Sequence, residues 1–164
     1  MFDLDIRSLA AELLNISRER GITVATVESC TGGLVCGALT AISGSSSMVV
    51  GGLVTYSNEM KTLLAGVPAA LIADHGAVSE QVARAMAEGG RDRLHARLAV
   101  SVTGVAGPDG GSEVKPVGLV HFACAAPGVT LHREKRFKAV GRDEIRRLSV
   151  LEALDLLREA ALTA

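Results

Sequence analysis

Aromatic side chains are nearly missing from this chain: there is no tryptophan, one tyrosine and three phenylalanines, 2% in all. Bases are commonly held by stacking on such rings, so few platforms exist for that work. A basic excess is missing as well. Lys and Arg number 17 against 18 Asp and Glu, a formal net charge of −1, where a phosphate-backbone binder would carry a basic stripe. Nucleic acid is therefore not an expected partner. No apolar run approaches the ~20 residues needed to span a bilayer, and the acidic opening Met1-Phe2-Asp3-Leu4-Asp5 lacks the basic start of a secretory signal. The expectation is a cytoplasmic protein with no membrane attachment. The three cysteines (Cys30, Cys36 and Cys124) sit in apolar surroundings without metal-binding spacing and read as reduced, packed thiols. The four histidines (His75, His95, His121 and His132) are scattered, so no metal site is expected.

What is present is a normal globular balance, 48% apolar and 21% charged over 164 residues, the size of one domain covering residues 1–164. Helical and extended signals alternate, which predicts α/β layering. Apolar residues recur at helical spacing from Leu4 to Arg18, and Gly21 ends that run. Thr23 to Val27 reads as a short buried strand, and a second helix is expected from Gly32 to about Ile42. A strand from Met48 to Tyr56 should lead, through an N-cap at Ser57, into a short helix carrying Lys61. Pro68 suits the first turn of a further short helix, and Ser79 caps a longer one running towards Leu94. Leu98 to Val105 is apolar on both faces, as a central strand requires. Val117 to Ala125 and Val129 to Phe137 flank Pro127-Gly128 as a hairpin, and a helix from Arg142 to Leu162 closes the chain. The expected fold is a three-layer α/β/α sandwich around a mixed, mostly parallel sheet with at least one antiparallel strand.

Chemistry is concentrated at two corners. Val27-Glu28-Ser29-Cys30-Thr31-Gly32-Gly33 lies just past a buried strand, where open α/β sheets bind ligands. Ser29 there reads either as an exposed nucleophile or, with Thr31, as a helix cap, and the local pattern does not choose because it is not a Gly-x-Ser-x-Gly elbow. In the first reading the amides that open the next helix supply an oxyanion site. No histidine is placed to serve Ser29. Lys61 is the alternative base, provided burial lowers its pKa, and Tyr56 could bond to it or relay a proton. Against this stand a solvated surface lysine and a tyrosine that merely packs its ring. Cys30 is a rival nucleophile. The second corner, Thr103-Gly104-Val105-Ala106-Gly107-Pro108-Asp109-Gly110-Gly111, is either a loop whose backbone approaches a ligand or an ordinary surface turn. Arg142 and Arg146, four apart on one helix face, either bind an anion or face solvent.

Ordered blocks then carry a resemblance. Glu28-Ser29-Cys30-Thr31-Gly32-Gly33, Gly44-Ser45-Ser46, Val54-Thr55-Tyr56-Ser57-Asn58-Glu59 with Lys61, Gly76-Ala77-Val78-Ser79-Glu80, Thr103-Gly104-Val105-Ala106-Gly107-Pro108 and Lys115-Pro116-Val117-Gly118 follow the order of the CinA C-terminal domain family. The chain resembles that family from Thr23 to its last helix. The resemblance implies a nicotinamide-nucleotide amidase, a serine amidohydrolase needing neither metal nor cofactor, acting on a small pyridine nucleotide as a homodimer. It implies Ser29 as nucleophile, Lys61 as general base and Tyr56 as a further catalytic position. Thr31, Gly32, Gly33, Thr103, Gly104, Gly107 and Arg142 are the implied substrate-binding positions. A non-catalytic nucleotide-binding or regulatory module, of the competence and damage-inducible type, is the competing expectation. Gly51-Gly52 departs from the bulkier pair expected there, which would alter a subunit contact or the pocket wall.

Overall fold

The computed structural model describes residues 1–164. Helix α1 (Leu4–Arg20) opens on Asp3, whose carboxylate accepts from the Ile6 amide, and ends on Gly21 in the left-handed conformation (φ 64°). The strands are β1 (Val24–Glu28), β2 (Val49–Val54), β3 (Leu98–Gly104), β4 (Leu119–Ala126) and β5 (Val129–Arg136), and they assemble in the order β2-β1-β3-β4-β5. β1 pairs in parallel with both β2 and β3, while β3–β4 and β4–β5 are antiparallel, the latter a hairpin. Four of the five strands therefore run the same way, and the sheet is mixed, as the sequence predicts.

The remaining helices are α2 (Leu34–Thr40), α3 (Asn58–Ala65), α4 (Ala69–His75), α5 (Glu80–Leu94) and α6 (Arg142–Thr163). Ser57 caps α3 by accepting from the Met60 amide at 3.1 Å, and Ser79 caps α5 through Val82 at 3.3 Å. Pro68 stands one position before α4 rather than inside its first turn. α2 is shorter than expected. Gly32 (φ 58°) and Gly33 (φ 99°) are both left-handed, so the chain is still turning there and helical geometry starts only at Leu34.

Two layers cover the sheet. Leu13, Leu14, Val35, Leu39, Leu154 and Leu157 of α1, α2 and α6 pack with Val24, Leu98, Val100, Val102, Val120 and Phe122 on one face. Val27 packs with Ala65, Ile72, Val82 and Met86 of α3, α4 and α5 on the other. Strand side chains alternate between faces, and this decides where the chemistry goes. Val24, Thr26 and Glu28 of β1 point towards α2; Ala25, Val27 and the residue that follows the strand, Ser29, point towards α3 and α5. Gly52 of β2 lies against α2 as well. A Cβ there would stand 2.5 Å from Thr26 Oγ1 and 3.0 Å from Cys36 Sγ, so close packing of β2 on β1 and α2 accounts for the glycine.

Candidate active site

Ser29 sits one residue beyond β1, its amide donating to the Val102 carbonyl of β3 at 2.9 Å. On the other side of β1, Thr55 at the end of β2 donates its amide to the Glu28 carbonyl at 2.7 Å. The strand end is thus locked between two neighbours, and the serine emerges between them. α3 begins directly after β2 and swings back over this point. Its Lys61, 1% exposed, places Nζ 2.9 Å from Ser29 Oγ and 2.9 Å from the Thr55 carbonyl oxygen. No carboxylate lies within ion-pair distance of the amine. Burial pushes the Lys61 pKa below the ordinary lysine value, with the nearby Cys30 thiol acting in the opposite sense.

Neither hydroxyl at the corner caps α2. Ser29 Oγ faces Lys61, and Thr31 Oγ1 is buried with no partner. The cap is Glu28. Its side chain is fully buried under the helix, Oε2 accepting from the amides of Gly33 (3.1 Å) and Val35 (3.0 Å) and Oε1 from Cys36 (2.8 Å). This overturns one expectation of the sequence reading: the Gly33 amide is consumed by Glu28, and the Gly32 amide closes back on the Ser29 carbonyl at 3.0 Å. Neither glycine offers an N–H to a ligand, and neither lines the cavity at Ser29. The amides without a partner at this corner are those of Cys30 and Thr31.

That cavity has a volume of about 280 Å³ and is bounded by Ser29, Tyr56, Val78, the Gly104–Gly107 stretch and Arg142. Tyr56 is 61% exposed, and its hydroxyl accepts from Arg142 Nη2 at 3.3 Å. The expected Tyr56–Lys61 bond is therefore absent, because the lysine reaches Ser29 and Thr55 while Tyr56 turns to the rim. Arg142 also donates to the Gly107 carbonyl at 2.8 Å, tying the glycine loop to the start of α6. Gly104 cannot carry a side chain, since a Cβ would meet Val120 Cγ2 at 2.7 Å; Gly107 is left-handed at φ 77°. Thr103 is buried and does not border the cavity. Its hydroxyl donates to the Ala77 carbonyl at 2.8 Å and so holds the segment bearing Val78.

Two residues acquire places that sequence reasoning had not assigned. One is Glu28, a charge ending a fully buried strand, which was itself a signal of a buried partner. The other is Arg146, grouped with Arg142 only as a possible anion-binding face. Its Nε donates to the Cys30 carbonyl at 3.1 Å and its Nη2 to the Thr31 carbonyl at 3.3 Å. Cys30 packs into the core, and burial pushes its thiol up to about 12, which removes the thiolate a cysteine nucleophile requires. No cluster of three or more His, Cys, Asp or Glu side chains is arranged to hold a metal ion. No helix is long and apolar enough to cross a membrane.

Fold and site together describe an α/β protein with a serine–lysine pair at the carboxyl end of its central parallel strands. Comparison with known proteins specifies the family: the model for the CinA C-terminal domain matches residues 6–161, and the chain belongs to that family. It is 54% identical over 158 residues to a CinA-like protein of Synechococcus sp. (strain RCC307), covering 96% of this chain and 38% of that one. It is 49% identical over 164 residues to a CinA-like protein of Citrifermentans bemidjiense, covering 99% and 39% respectively. The chain thus spans a little over a third of the length of these curated relatives. Among solved structures it superposes on the competence/damage inducible protein CihA of Agrobacterium tumefaciens with a TM-score of 0.96, 48% identity and 98% coverage of both chains. A CinA superfamily protein of Klebsiella pneumoniae gives a TM-score of 0.92 at 31% identity, covering 97% of this chain and 99% of that one.

Proposed function

We propose that this chain is an amidase that hydrolyses the carboxamide of nicotinamide mononucleotide to nicotinate mononucleotide and ammonia, with Ser29 as nucleophile and Lys61 as base. The observation that carries the reading is the 2.9 Å contact between Lys61 Nζ and Ser29 Oγ, made by a lysine with no carboxylate partner. A neutral amine has two N–H bonds and one lone pair. The Thr55 carbonyl holds one N–H, which leaves the lone pair free to turn towards the serine proton. Burial favours that neutral form.

The steps follow from this arrangement. Ser29 Oγ attacks the carboxamide carbon as its proton passes to Lys61 Nζ, and the carbonyl oxygen takes the negative charge of the tetrahedral intermediate. The Cys30 amide, which has no backbone partner and belongs to a residue lining the cavity, is the donor available to that oxygen. Collapse breaks the C–N bond, and Lys61 returns its proton to the leaving nitrogen as ammonia. Water then attacks the acyl-enzyme, Lys61 taking its proton, and the carboxylate is released with Ser29 restored. The apolar walls at Val78, Val105 and Ala106 suit a flat ring, and Arg142 at the rim suits the phosphate. A positioned base typically contributes 10²–10⁴-fold to rate.

Ammonia release from nicotinamide mononucleotide by the wild type and by Ser29→Ala tests the proposal. The expected result is turnover by the wild type and loss of at least about 10³-fold in the variant. Wild-type protein that binds the nucleotide in calorimetry yet releases no ammonia would replace this reading with the non-catalytic binding module.

A further inference from the structure

We infer that Asp109 is a specificity residue that selects amide substrates carrying a ribose, its carboxylate accepting from the sugar's vicinal diol, an inference resting on the amidase reading above. Asp109 borders the same cavity as Ser29 and is exposed at its mouth. It makes no ion pair and no hydrogen bond with any other residue. The other charge at the mouth is Arg142, which donates to the Gly107 carbonyl and to the Tyr56 hydroxyl rather than to Asp109. A carboxylate and a guanidinium therefore stand at one opening without neutralising each other.

The loop that carries Asp109 is clamped on both sides of it. Gly107 and Gly111 press on Val117, where a Cβ on the first would stand 2.6 Å from Cγ1 and a Cβ on the second 2.8 Å from the amide nitrogen. The base of the loop is closed by the Val105 amide on the Leu119 carbonyl at 2.9 Å and the Gly118 amide on the Val105 carbonyl at 2.8 Å. Lys115 ties the far arm to the His75 carbonyl, and Arg142 holds Gly107 from the start of α6. A carboxylate on so well-anchored a turn gives up little freedom when a ligand arrives.

The chemistry of the substrate then allots the two charges. With the carboxamide carbon at Ser29 and the ring against Val78, Val105 and Ala106, the sugar leaves the ring nitrogen towards the mouth. A phosphate offers acceptors only, which match the donor fork of Arg142 and are repelled by Asp109. A ribose offers two adjacent hydroxyl donors, and a carboxylate sets two acceptor oxygens side by side. Acidic side chains meet ribose hydroxyls in the same way in dinucleotide-binding folds. The Gly107 carbonyl, a backbone acceptor bordering the same cavity, is already taken by Arg142. Free nicotinamide has no sugar and forfeits the contact.

The test measures kcat and KM for ammonia release by wild type, Asp109→Ala and Asp109→Asn from nicotinamide mononucleotide and from its 2′,3′-dideoxy analogue. The analogue keeps the pyridinium ring and the phosphate and lacks only the diol. Hydrogen bonds to a charged acceptor are worth roughly 10–100-fold in binding. Asp109→Ala is expected to raise KM for the nucleotide by that factor with kcat within about threefold, and wild type to lose a similar factor on the analogue. On the analogue itself, Asp109→Ala should match wild type within about twofold, because diol and acceptor form one coupled pair. Asp109→Asn, keeping one acceptor oxygen, should fall between. An unchanged KM for the nucleotide in Asp109→Ala overturns the inference. So does an equal loss on both substrates, which assigns the carboxylate to the ring charge. Both variants should melt within about 2 °C of wild type, and a larger fall overturns the inference in favour of a structural role. Wild type that binds the nucleotide without releasing ammonia overturns the amidase reading alone, and calorimetric Kd values for the same proteins and ligands then carry the comparison. Wild type that binds neither ligand overturns both.

Discussion

Replacing Glu28 with glutamine changes two atoms' chemistry and almost no volume, so its cost can be worked from the three bonds the carboxylate makes. Oε2 accepts from Gly33 and Val35, and Oε1 accepts from Cys36 at 2.8 Å. A glutamine has one acceptor oxygen. Set on the Gly33–Val35 side, it leaves its NH2 facing the Cys36 N–H, donor against donor. The third bond is lost and a buried amide is left without an acceptor, worth about 1–3 kcal/mol. The two surviving bonds drop from charge-assisted to neutral, roughly 1 kcal/mol each. Relief of the buried charge offsets part of this, leaving a net loss of about 2–4 kcal/mol. For a chain of this size each kcal/mol moves the melting temperature by about 2–4 °C, so Glu28→Gln should melt roughly 5–15 °C below wild type in calorimetry. The urea midpoint should fall without a change in slope. A melting temperature within about 1 °C of wild type would show that no ionised carboxylate holds the start of α2, and the account of which amides are free would go with it.

Further outcomes concern Lys61 and the two most buried cysteines. Because burial lowers the Lys61 pKa in the folded chain, the unfolded chain binds more protons between that value and 10.5. Wild-type stability therefore rises with pH across that window, relative to Lys61→Met, which has no such group. Urea titrations from pH 7 to 10 check this, and a stability gap constant over the range would contradict it; ammonia release by the variant should be lost. Cys30 and Cys124 are both buried, with thiols pushed up to about 12, so at pH 8 only about one in 10⁴ is ionised. Iodoacetamide should modify neither in the folded protein, and Cys30→Ala should keep its ammonia release within a few-fold, as mass spectrometry and the activity assay would show.

The fold was legible wherever the evidence was local. The 3.6-residue spacing of α1, the Ser57 and Ser79 caps and the doubly apolar β3 each predicted their elements to within a few residues. α2 is shorter than its sequence pattern implies because a glycine pair extends a helical pattern on paper while its left-handed φ values break it in space. Ser29 and Lys61 stood out as chemically suited, but 32 residues separate them, and only the parallel pairing of β1 with β2 brings them to 2.9 Å. Glu28 and Arg146 were harder. A carboxylate that caps its own following helix looks, in sequence, like any charge at a strand end. Arg146 is indistinguishable from Arg142 and Arg147 until the twist of α6 sends the first to the Cys30–Thr31 turn, the second to the cavity rim and the third to the acidic start of α1.

The alternation of β1 has a consequence for how such a protein can change. Ser29 and Lys61 belong to the interior: their positions are held by strand pairing, by the Thr55 carbonyl and by the packed underside of α3. Tyr56, Asp109, Gly110 and Arg142, which border the cavity mouth, are exposed and come from two separate loops and the first residue of α6. Substitutions at the mouth touch neither of these supports, so the contour of the cavity can drift while Ser29 and Lys61 keep their places. Relatives can therefore share the interior pair while differing in what they admit.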